Sequence, residues 1–348
     1  MFDHERVVIA TGSRSKLPVI VAVHSTALGS SAGGCRMLAY PRWQDGLADA
    51  LRLSRNMTLK SAAAGLAHGG GKTVVALPAG FQVDDRMRRA ALLDVGDAVE
   101  SLAGGYATGP DVGTSAHDMV TIAERTTHVC CLPEEHGGSG DSSGHTAAGV
   151  LSAIHAACAH LFGSASLAGR TIGVVGLGNV GGGLARMLAA EGARLIVTDT
   201  EPGRRELAGE VGATWVDPAS AVTTPVDVLV PAAVGGMLTA EVVSRLRCEA
   251  IVGPANNQLA TEDVAELLRD KGICWVPDYI ASAGGVVYAV SRELDGLDHA
   301  TASAAVRGIG DTVRTLLDAA DRDAITPHRA ALRLAADRLE GRALSATM

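Results

Sequence analysis

Aromatic side chains are scarce in this 348-residue chain: three Phe, three Trp and four Tyr make up 3% of it. A core with so few rings is built from Ala, Gly, Val and Leu, and its elements must pack closely. No apolar run reaches the roughly 20 residues that a membrane-crossing helix needs. The opening Met-Phe-Asp-His-Glu-Arg carries charges where a secretory signal has its apolar run. The expectation is a cytoplasmic protein without a membrane partner. Blocks of Lys and Arg are missing too, and the net charge is −8, so the clustered positive charge that nucleic acid and anionic membranes reward is absent. Small molecules are the expected partners. The six cysteines (Cys35, Cys130, Cys131, Cys158, Cys248 and Cys274) include no C-x-x-C pair. That spacing supports neither a zinc site nor a disulfide framework, so they read as reduced and mostly packed, with no metal.

What is present is enough chain for two domains. The first part mixes strand-like runs, Val19-Ile-Val-Ala-Val23 and Thr73-Val-Val-Ala-Leu77, with helical stretches near 45–66, 84–102 and 115–125. A polar, glycine-rich segment follows, Glu134-Glu-His-Gly-Gly-Ser-Gly-Asp-Ser-Ser-Gly144, whose composition suits a hinge or linker. After a helix near 146–162, short apolar strands alternate with helices: 171–176, 179–191, 194–199, 203–211, 226–230, 240–246, 250–253, 261–271 and 273–276. Alternation of that kind produces parallel pairing and a doubly wound sheet. The segment 285–340 reads as mostly helical. The expected fold is therefore α/β throughout: a substrate and catalytic domain over 1–140, a doubly wound dinucleotide-binding domain over 141–325, and a C-terminal helix over 326–348 that packs back on the first domain toward the hinge.

The dinucleotide reading comes from a turn. Thr171-Ile-Gly-Val-Val175 reads as a buried strand, and Gly176, Gly178 and Gly181 follow it directly, with a helix starting near Val180. In a G-x-G-x-x-G turn the first glycine permits the tight bend, the second admits a pyrophosphate and the third lets helix and strand pack closely. Free N–H groups and the positive end of the helix dipole then face the anion, so Gly176, Gly178, Asn179, Val180 and Gly181 are the candidate contacts. The next strand, Arg194-Leu-Ile-Val-Thr198, ends in Asp199, roughly 20 residues past the turn, where a carboxylate accepts from ribose hydroxyls and repels a 2′-phosphate. This favours NAD over NADP, although Arg204 and Arg205 nearby soften the preference.

A second glycine cluster, His68-Gly-Gly-Gly-Lys72-Thr73, resembles the end of a phosphate-binding loop, but the required glycine at position 66 is Leu66. It reads better with Lys60 and with Asp111 of Gly105-Tyr-Ala-Thr-Gly-Pro-Asp-Val-Gly113, since all three polar groups lie beside small residues that admit a substrate. Two lysines in one pocket disfavour each other's charge, so one becomes a base near neutral pH while the other stays cationic and suits a carboxylate. The carboxylate of Asp111 suits an ammonium or iminium group.

Taken together, Gly33-Gly-Cys-Arg36, Met57-Thr-Leu-Lys60, Gly69-Gly-Gly-Lys72-Thr, Thr108-Gly-Pro-Asp111-Val, the 176–181 turn, Gly253-Pro-Ala-Asn-Asn-Gln-Leu259 and Pro277-Asp-Tyr-Ile-Ala-Ser-Ala-Gly-Gly285 resemble the glutamate/leucine/phenylalanine/valine dehydrogenases, in order and along nearly the whole chain. The resemblance implies reversible, NAD-dependent oxidative deamination of an L-amino acid to its 2-oxo acid and ammonia, in a homo-oligomer. It also implies that Lys60 binds the substrate carboxylate, Lys72 is the general base that activates water, and Asp111 holds the amino group and assists proton transfer. Gly33, Gly34, Met57 and Pro110 would line the substrate site, and Thr146 and Asn256 would lie near the nicotinamide and its carboxamide. Glutamate-selective members are similar to one another in placing a lysine just before the paired glycines. Here that residue is Ala32, and a buried carboxylate without a partner is costly.

An apolar substrate is thus expected, large or aromatic like phenylalanine, with Val306 and Ile309, one helical turn apart, as a further wall. The alternatives are a leucine- or valine-type enzyme, or one for an unusual amino acid of secondary metabolism. From other classes stand a non-catalytic NAD-binding scaffold or sensor, and a 2-hydroxy-acid oxidoreductase, whose base is usually a His/acid pair; neither His68 nor His117 has an evident acidic orienter nearby in sequence. Two residues depart from the family pattern. Ser282 stands where members carry asparagine, losing an amide donor in a position expected to touch the cofactor. His68 stands where they carry Leu or Met, and is expected at the surface, with an influence on pH dependence or substrate choice as the alternative.

Overall fold

The computed structural model describes residues 3–345, which form two compact units. The first holds the chain to Asp141, the segment Ala289–Asp298 and the residues from Ala335 onward. Its sheet has five strands: β1 (Arg6–Thr11), β2 (Pro18–Ser25), β3 (Ser31–Tyr40), β4 (Gly69–Pro78) and β5 (Tyr106–Pro110), in the spatial order β1-β2-β4-β3-β5. The β1–β2 and β2–β4 pairs are antiparallel, and β3 pairs in parallel with both β4 and β5.

Side chains alternate across such a sheet, and each face has its own helices. One face carries Ile20, Ala22, Val74 and Ala76 in a cluster with Ala50 of α1 (Trp43–Ala64). The other carries Val19, Val21, Cys35, Val75 and Tyr106, packed with residues of α2 (Asp85–Glu100) and α3 (Ala116–Ala123).

The three glycines before Lys72 are strand residues, and their lack of a side chain is what lets the layers meet. A Cβ on Gly69 would stand 1.8 Å from the Ser25 carbonyl oxygen, one on Gly70 2.0 Å from the Thr58 amide nitrogen of α1, and one on Gly71 2.5 Å from the Tyr106 ring. Glycine in a strand marks close backbone approach. The same property hid β3 and β5 from the sequence pattern, because Gly33, Gly34 and Gly109 break the apolar alternation.

The second unit comprises Ser142–Tyr288 and His299–Leu334. Here α4 (Ser143–Phe162) leads into β6 (Thr171–Val175), α5 (Asn179–Ala190), β7 (Arg194–Thr198), β8 (Thr214–Trp215), β9 (Val228–Pro231), β10 (Ala250–Ile251) and β11 (Cys274–Trp275). All neighbours are parallel, in the order β11-β10-β9-β6-β7-β8. This is the Rossmann arrangement, whose strand order reverses beside β6, and such folds bind ligands outside the carboxyl ends of the strands at that point.

The expected boundary of the C-terminal element needs correction. A helix runs over Pro327–Ser345, but its residues as far as Leu334 belong to the second unit, and the return to the first begins at Ala335 and not at 326. The Arg338 guanidinium donates to the carbonyls of Ala62 (2.6 Å) and Ala63 (2.8 Å) in the last turn of α1, where a cation also suits the helix dipole. Ala289–Asp298 was expected in the second domain and belongs to the first. Glu293 accepts from the Ser139 amide (2.9 Å) and the Leu132 amide (3.3 Å), and Asp295 meets His68 at 2.7 Å. No helix among the described residues is long and apolar enough to cross a membrane, and the six cysteines are free thiols, three of them buried.

Candidate active site

Elements of the first unit bring two of the three predicted polar groups, Lys72 and Asp111, together. Lys72 lies on β4, on the face that also carries Gly70; Gly34 lies on β3 and Asp111 directly after β5. The Lys72 Nζ is 2.8 Å from Asp111 Oδ2. A Cβ on Gly34 would stand 2.8 Å from the Asp111 Cβ and 3.2 Å from Lys72 Nζ, so the glycine keeps the approach to this pair open. Lys60 and Met57 are half-buried on α1, whose chain continues as helix beyond Lys60 to Ala64. Ala32 is buried on β3, flanked across the sheet by Gly70 and Ala107. Gly33 must be glycine, since a Cβ there would stand 1.8 Å from the Gly71 carbonyl oxygen. Pro110 ends β5 half-buried.

The charges of the pair are set unequally. Burial pulls the Lys72 ammonium below the ordinary lysine range, although Asp111 pulls the other way. Burial also works to raise the carboxyl of Asp111, but Lys72 and Arg36 outweigh it and hold that group below the usual carboxylate range. The difference follows exposure: the Lys72 side chain is 6% exposed and that of Asp111 22%, and desolvation falls hardest on the more buried charge. The result is a carboxylate that stays ionised beside an amine that gives up its proton more readily than a free lysine.

Arg36 was not among the candidate residues, although it stood in the quoted Gly33–Arg36 run. Its Nε donates to Asp111 Oδ2 at 2.8 Å and its Nη1 to Asp49 Oδ2 at 2.8 Å. Asp49 also accepts from the Tyr40 hydroxyl (2.8 Å) and from Arg52 (2.6 Å). Period-2 placement on β3, two residues after Gly34, was the available signal.

His68 is buried, not exposed as expected, because both ring nitrogens are engaged. Nε2 lies 2.7 Å from Asp295 Oδ1 and Nδ1 3.0 Å from the Ser30 carbonyl oxygen. The acidic neighbour is 227 residues away in sequence, so no local pattern could reveal it. His117 stays exposed, 3.7 Å from Glu135.

In the second unit the glycine turn has the geometry that a dinucleotide needs. Gly176 has φ +104°, a backbone region that side chains resist. A Cβ on Gly178 would meet nothing within 4 Å, and one on Gly181 would stand 2.1 Å from the Gly176 carbonyl oxygen. Space thus lies open at the second glycine and closes at the third, as pyrophosphate binding requires. Asn179 opens α5, no side chain caps that end, and Val180 follows within its first turn, so backbone N–H groups are available to an anion. Asp199 Oδ2 accepts the Leu177 amide at 2.6 Å, which ties the strand-end carboxylate to the turn itself. Arg204 is paired with Glu201 (3.1 Å), and Arg205 lies over the Trp215 ring, so both basic residues already have partners.

Thr146 is half-buried on α4, Asn256 is exposed after β10, and Ser282 is buried at the end of the short helix Asp278–Ala281. Val306 and Ile309 are both buried in this unit. Val306 lines a cleft with His145 and Arg307, whereas Ile309 is an interior residue whose Cδ1 stands 2.8 Å from where a Cβ on Gly149 of α4 would be.

Comparison with known proteins decides the family. Residues 3–128 match the sequence model of the Glu/Leu/Phe/Val dehydrogenase dimerisation domain, and residues 204–304 that of the Glutamate/Leucine/Phenylalanine/Valine dehydrogenases. The leucine dehydrogenase of Thermoactinomyces intermedius is 39% identical, over 97% of this chain and 92% of its own length. The phenylalanine dehydrogenase of Caldalkalibacillus thermarum is 38% identical, over 98% and 92%. The chain belongs to the glutamate/leucine/phenylalanine/valine dehydrogenase family. It is an NAD-dependent amino-acid dehydrogenase, an oxidoreductase acting on CH–NH2. Among solved structures, the L-tryptophan dehydrogenase of Nostoc punctiforme superposes with a TM-score of 0.86 at 35% identity, over 98% of this chain and 96% of that one. Residues 155–252 of this dehydrogenase also match the NAD-binding domain of D-isomer specific 2-hydroxyacid dehydrogenases, and that match spans the nucleotide-binding unit alone.

Proposed function

We propose that this dehydrogenase oxidatively deaminates an apolar L-amino acid with a large or aromatic side chain, reversibly, to its 2-oxo acid and ammonia. The observation that carries the chemistry is the buried Lys72–Asp111 pair facing Gly34. The side-chain preference rests on the row beside it. Ala32 and its cross-strand neighbours Gly70 and Ala107 offer no cation to a distal carboxylate and little bulk against a long side chain. Relatives named for leucine, phenylalanine and tryptophan fit the same apolar class.

In this reading Lys60 pairs with the substrate carboxylate, while Gly33, Gly34, Met57 and Pro110 shape the space around Cα. Asp111 accepts a hydrogen bond from the substrate amine and orients it. NAD, when bound, supplies the acceptor for the Cα hydride. Gly176, Gly178, Asn179, Val180 and Gly181 would hold its pyrophosphate and Asp199 its ribose hydroxyls, with Thr146, Asn256 and Ser282 toward the nicotinamide. Once Cα is an iminium carbon, water adds to it and its proton passes to Lys72 Nζ, whose ammonium form burial disfavours. Collapse of the resulting carbinolamine expels ammonia, with Asp111 holding the departing nitrogen. A homo-oligomer is part of this proposal, supported by the dimerisation-domain match, and so is a cytoplasmic location.

The test is NADH formation across a panel of L-amino acids, with the reverse amination of the matching 2-oxo acids. Phenylalanine, tryptophan and leucine should turn over at least about tenfold faster, by kcat/KM, than glutamate, since an unpaired buried carboxylate costs more than 1.4 kcal/mol. Glutamate as the best substrate would remove the assignment of Ala32.

A further inference from the structure

We propose that Arg36 is a positioning residue of the reaction, which shares one oxygen of Asp111 with Lys72 and so leaves the other oxygen to the substrate amine. This rests on the reading of Lys72 as base and Asp111 as amine holder. Arg36 Nε and Lys72 Nζ both lie 2.8 Å from Oδ2 of Asp111. Among the described residues Oδ1 takes no hydrogen bond. A carboxylate gripped at one oxygen by two cations cannot rotate freely, and its second oxygen remains an acceptor of fixed direction.

The guanidinium is itself held at both ends. Its Nη1 is 2.8 Å from Asp49 Oδ2, and Asp49 is fixed by Tyr40 and Arg52. A planar fork spanning two carboxylates is a task that the point charge of lysine performs poorly.

Arg36 also acts on the base through charge. The charged and titratable groups that act on Lys72 are Asp111, Arg36 and the Cys35 thiol, whose pKa burial pushes up to about 12. The permanent charge of Arg36 disfavours the ammonium form of Lys72 and occupies part of the Asp111 charge that would otherwise favour it. Both effects have one sign: replacing Arg36 by a neutral residue makes Lys72 hold its proton more firmly. Oxidative deamination needs Lys72 unprotonated, so the acidic limb of kcat/KM against pH must move to higher pH.

The experiment measures kcat and kcat/KM against pH, with thermal melting, for the full-length wild type, Arg36→Gln, Arg36→Lys, Asp49→Asn and Lys72→Ala, using the fastest apolar amino acid and NAD. Arg36→Gln should move the acidic limb up by about one pH unit and lower kcat/KM at neutral pH about tenfold. Arg36→Lys keeps the charge and should return the limb toward wild type while kcat stays low, because the bridge to Asp49 is lost. Asp49→Asn leaves the Arg36 charge less compensated and should move the limb the opposite way, which decides the matter even if Arg36→Gln does not fold. An unmoved limb in Arg36→Gln and Asp49→Asn, with activity falling only as melting temperature falls, would overturn the proposal. Turnover that survives in Lys72→Ala would instead defeat the underlying reading of the base.

Discussion

At the scale of single residues, the site is a problem in sharing charge. Asp111 favours the ammonium form of Lys72, and burial opposes it. Asp111→Asn removes the favourable partner, so the pKa of Lys72 falls further and the acidic limb of kcat/KM should move to lower pH. The rate itself should drop by about 10²–10⁴-fold, because a positioned proton-handling group is lost. A limb that moves to higher pH would contradict the pairing. His68 belongs to the same scale. The His68–Asp295 contact fixes the segment Ala289–Asp298 to the start of β4, and Asp295→Ala should cost about 1–3 kcal/mol in urea unfolding, the penalty for stranding a buried polar ring. What was legible in the sequence at this scale was residue type beside small neighbours: Lys60, Lys72 and Asp111 stood out on those grounds. Arg36, Asp49 and Asp295 did not, since their significance lies in partners 13 to 227 residues away.

At the scale of elements, glycine does two different kinds of work, and substitution separates them. Gly178 opens onto free space and Gly181 onto a carbonyl oxygen at 2.1 Å. Gly178→Ala should therefore leave thermal stability unchanged while raising KM for NAD about tenfold or more. Gly181→Ala should lower the melting temperature as well, because α5 must move off β6. Equal melting temperatures for the two variants would contradict the turn geometry. The Rossmann half was readable because alternating apolar strands and helices announce themselves by periodicity; of its strands only the two-residue β8 escaped, along with the short helices Pro218–Ala221 and Asp278–Ala281. In the first unit β2, β4 and the three helices were found, but β1, β3 and β5 were missed. β3 and β5 carry Gly33, Gly34 and Gly109 where a strand pattern needs branched side chains: Gly34 keeps the approach to Lys72 and Asp111 open, while Gly33 and Gly109 lie close against the Gly71 carbonyl oxygen and the Cys130 thiol. Close packing and access to the site thus obscured the strands that hold it.

At the scale of the whole molecule, the glycine turn and the Lys72–Asp111 pair lie in different compact units, and the boundary after Asp141 falls inside the glycine-rich segment 134–144. In the proposed reading, nucleotide specificity belongs to the second unit. Asp199 faces the turn with both neighbouring arginines occupied, so NADH at 100 times its dissociation constant should stabilise the protein by about 2.7 kcal/mol. NADPH at the same concentration should raise the melting temperature far less, and an equal rise would contradict the role of Asp199. The role of Lys72 is tested most directly by Lys72→Ala, assayed for NADH formation with the best amino acid and, in the same preparation, for NADH binding by fluorescence titration. Loss of turnover by about 10³-fold or more with unchanged NADH affinity is the expected result. Turnover within a few-fold of wild type would contradict Lys72 as the base.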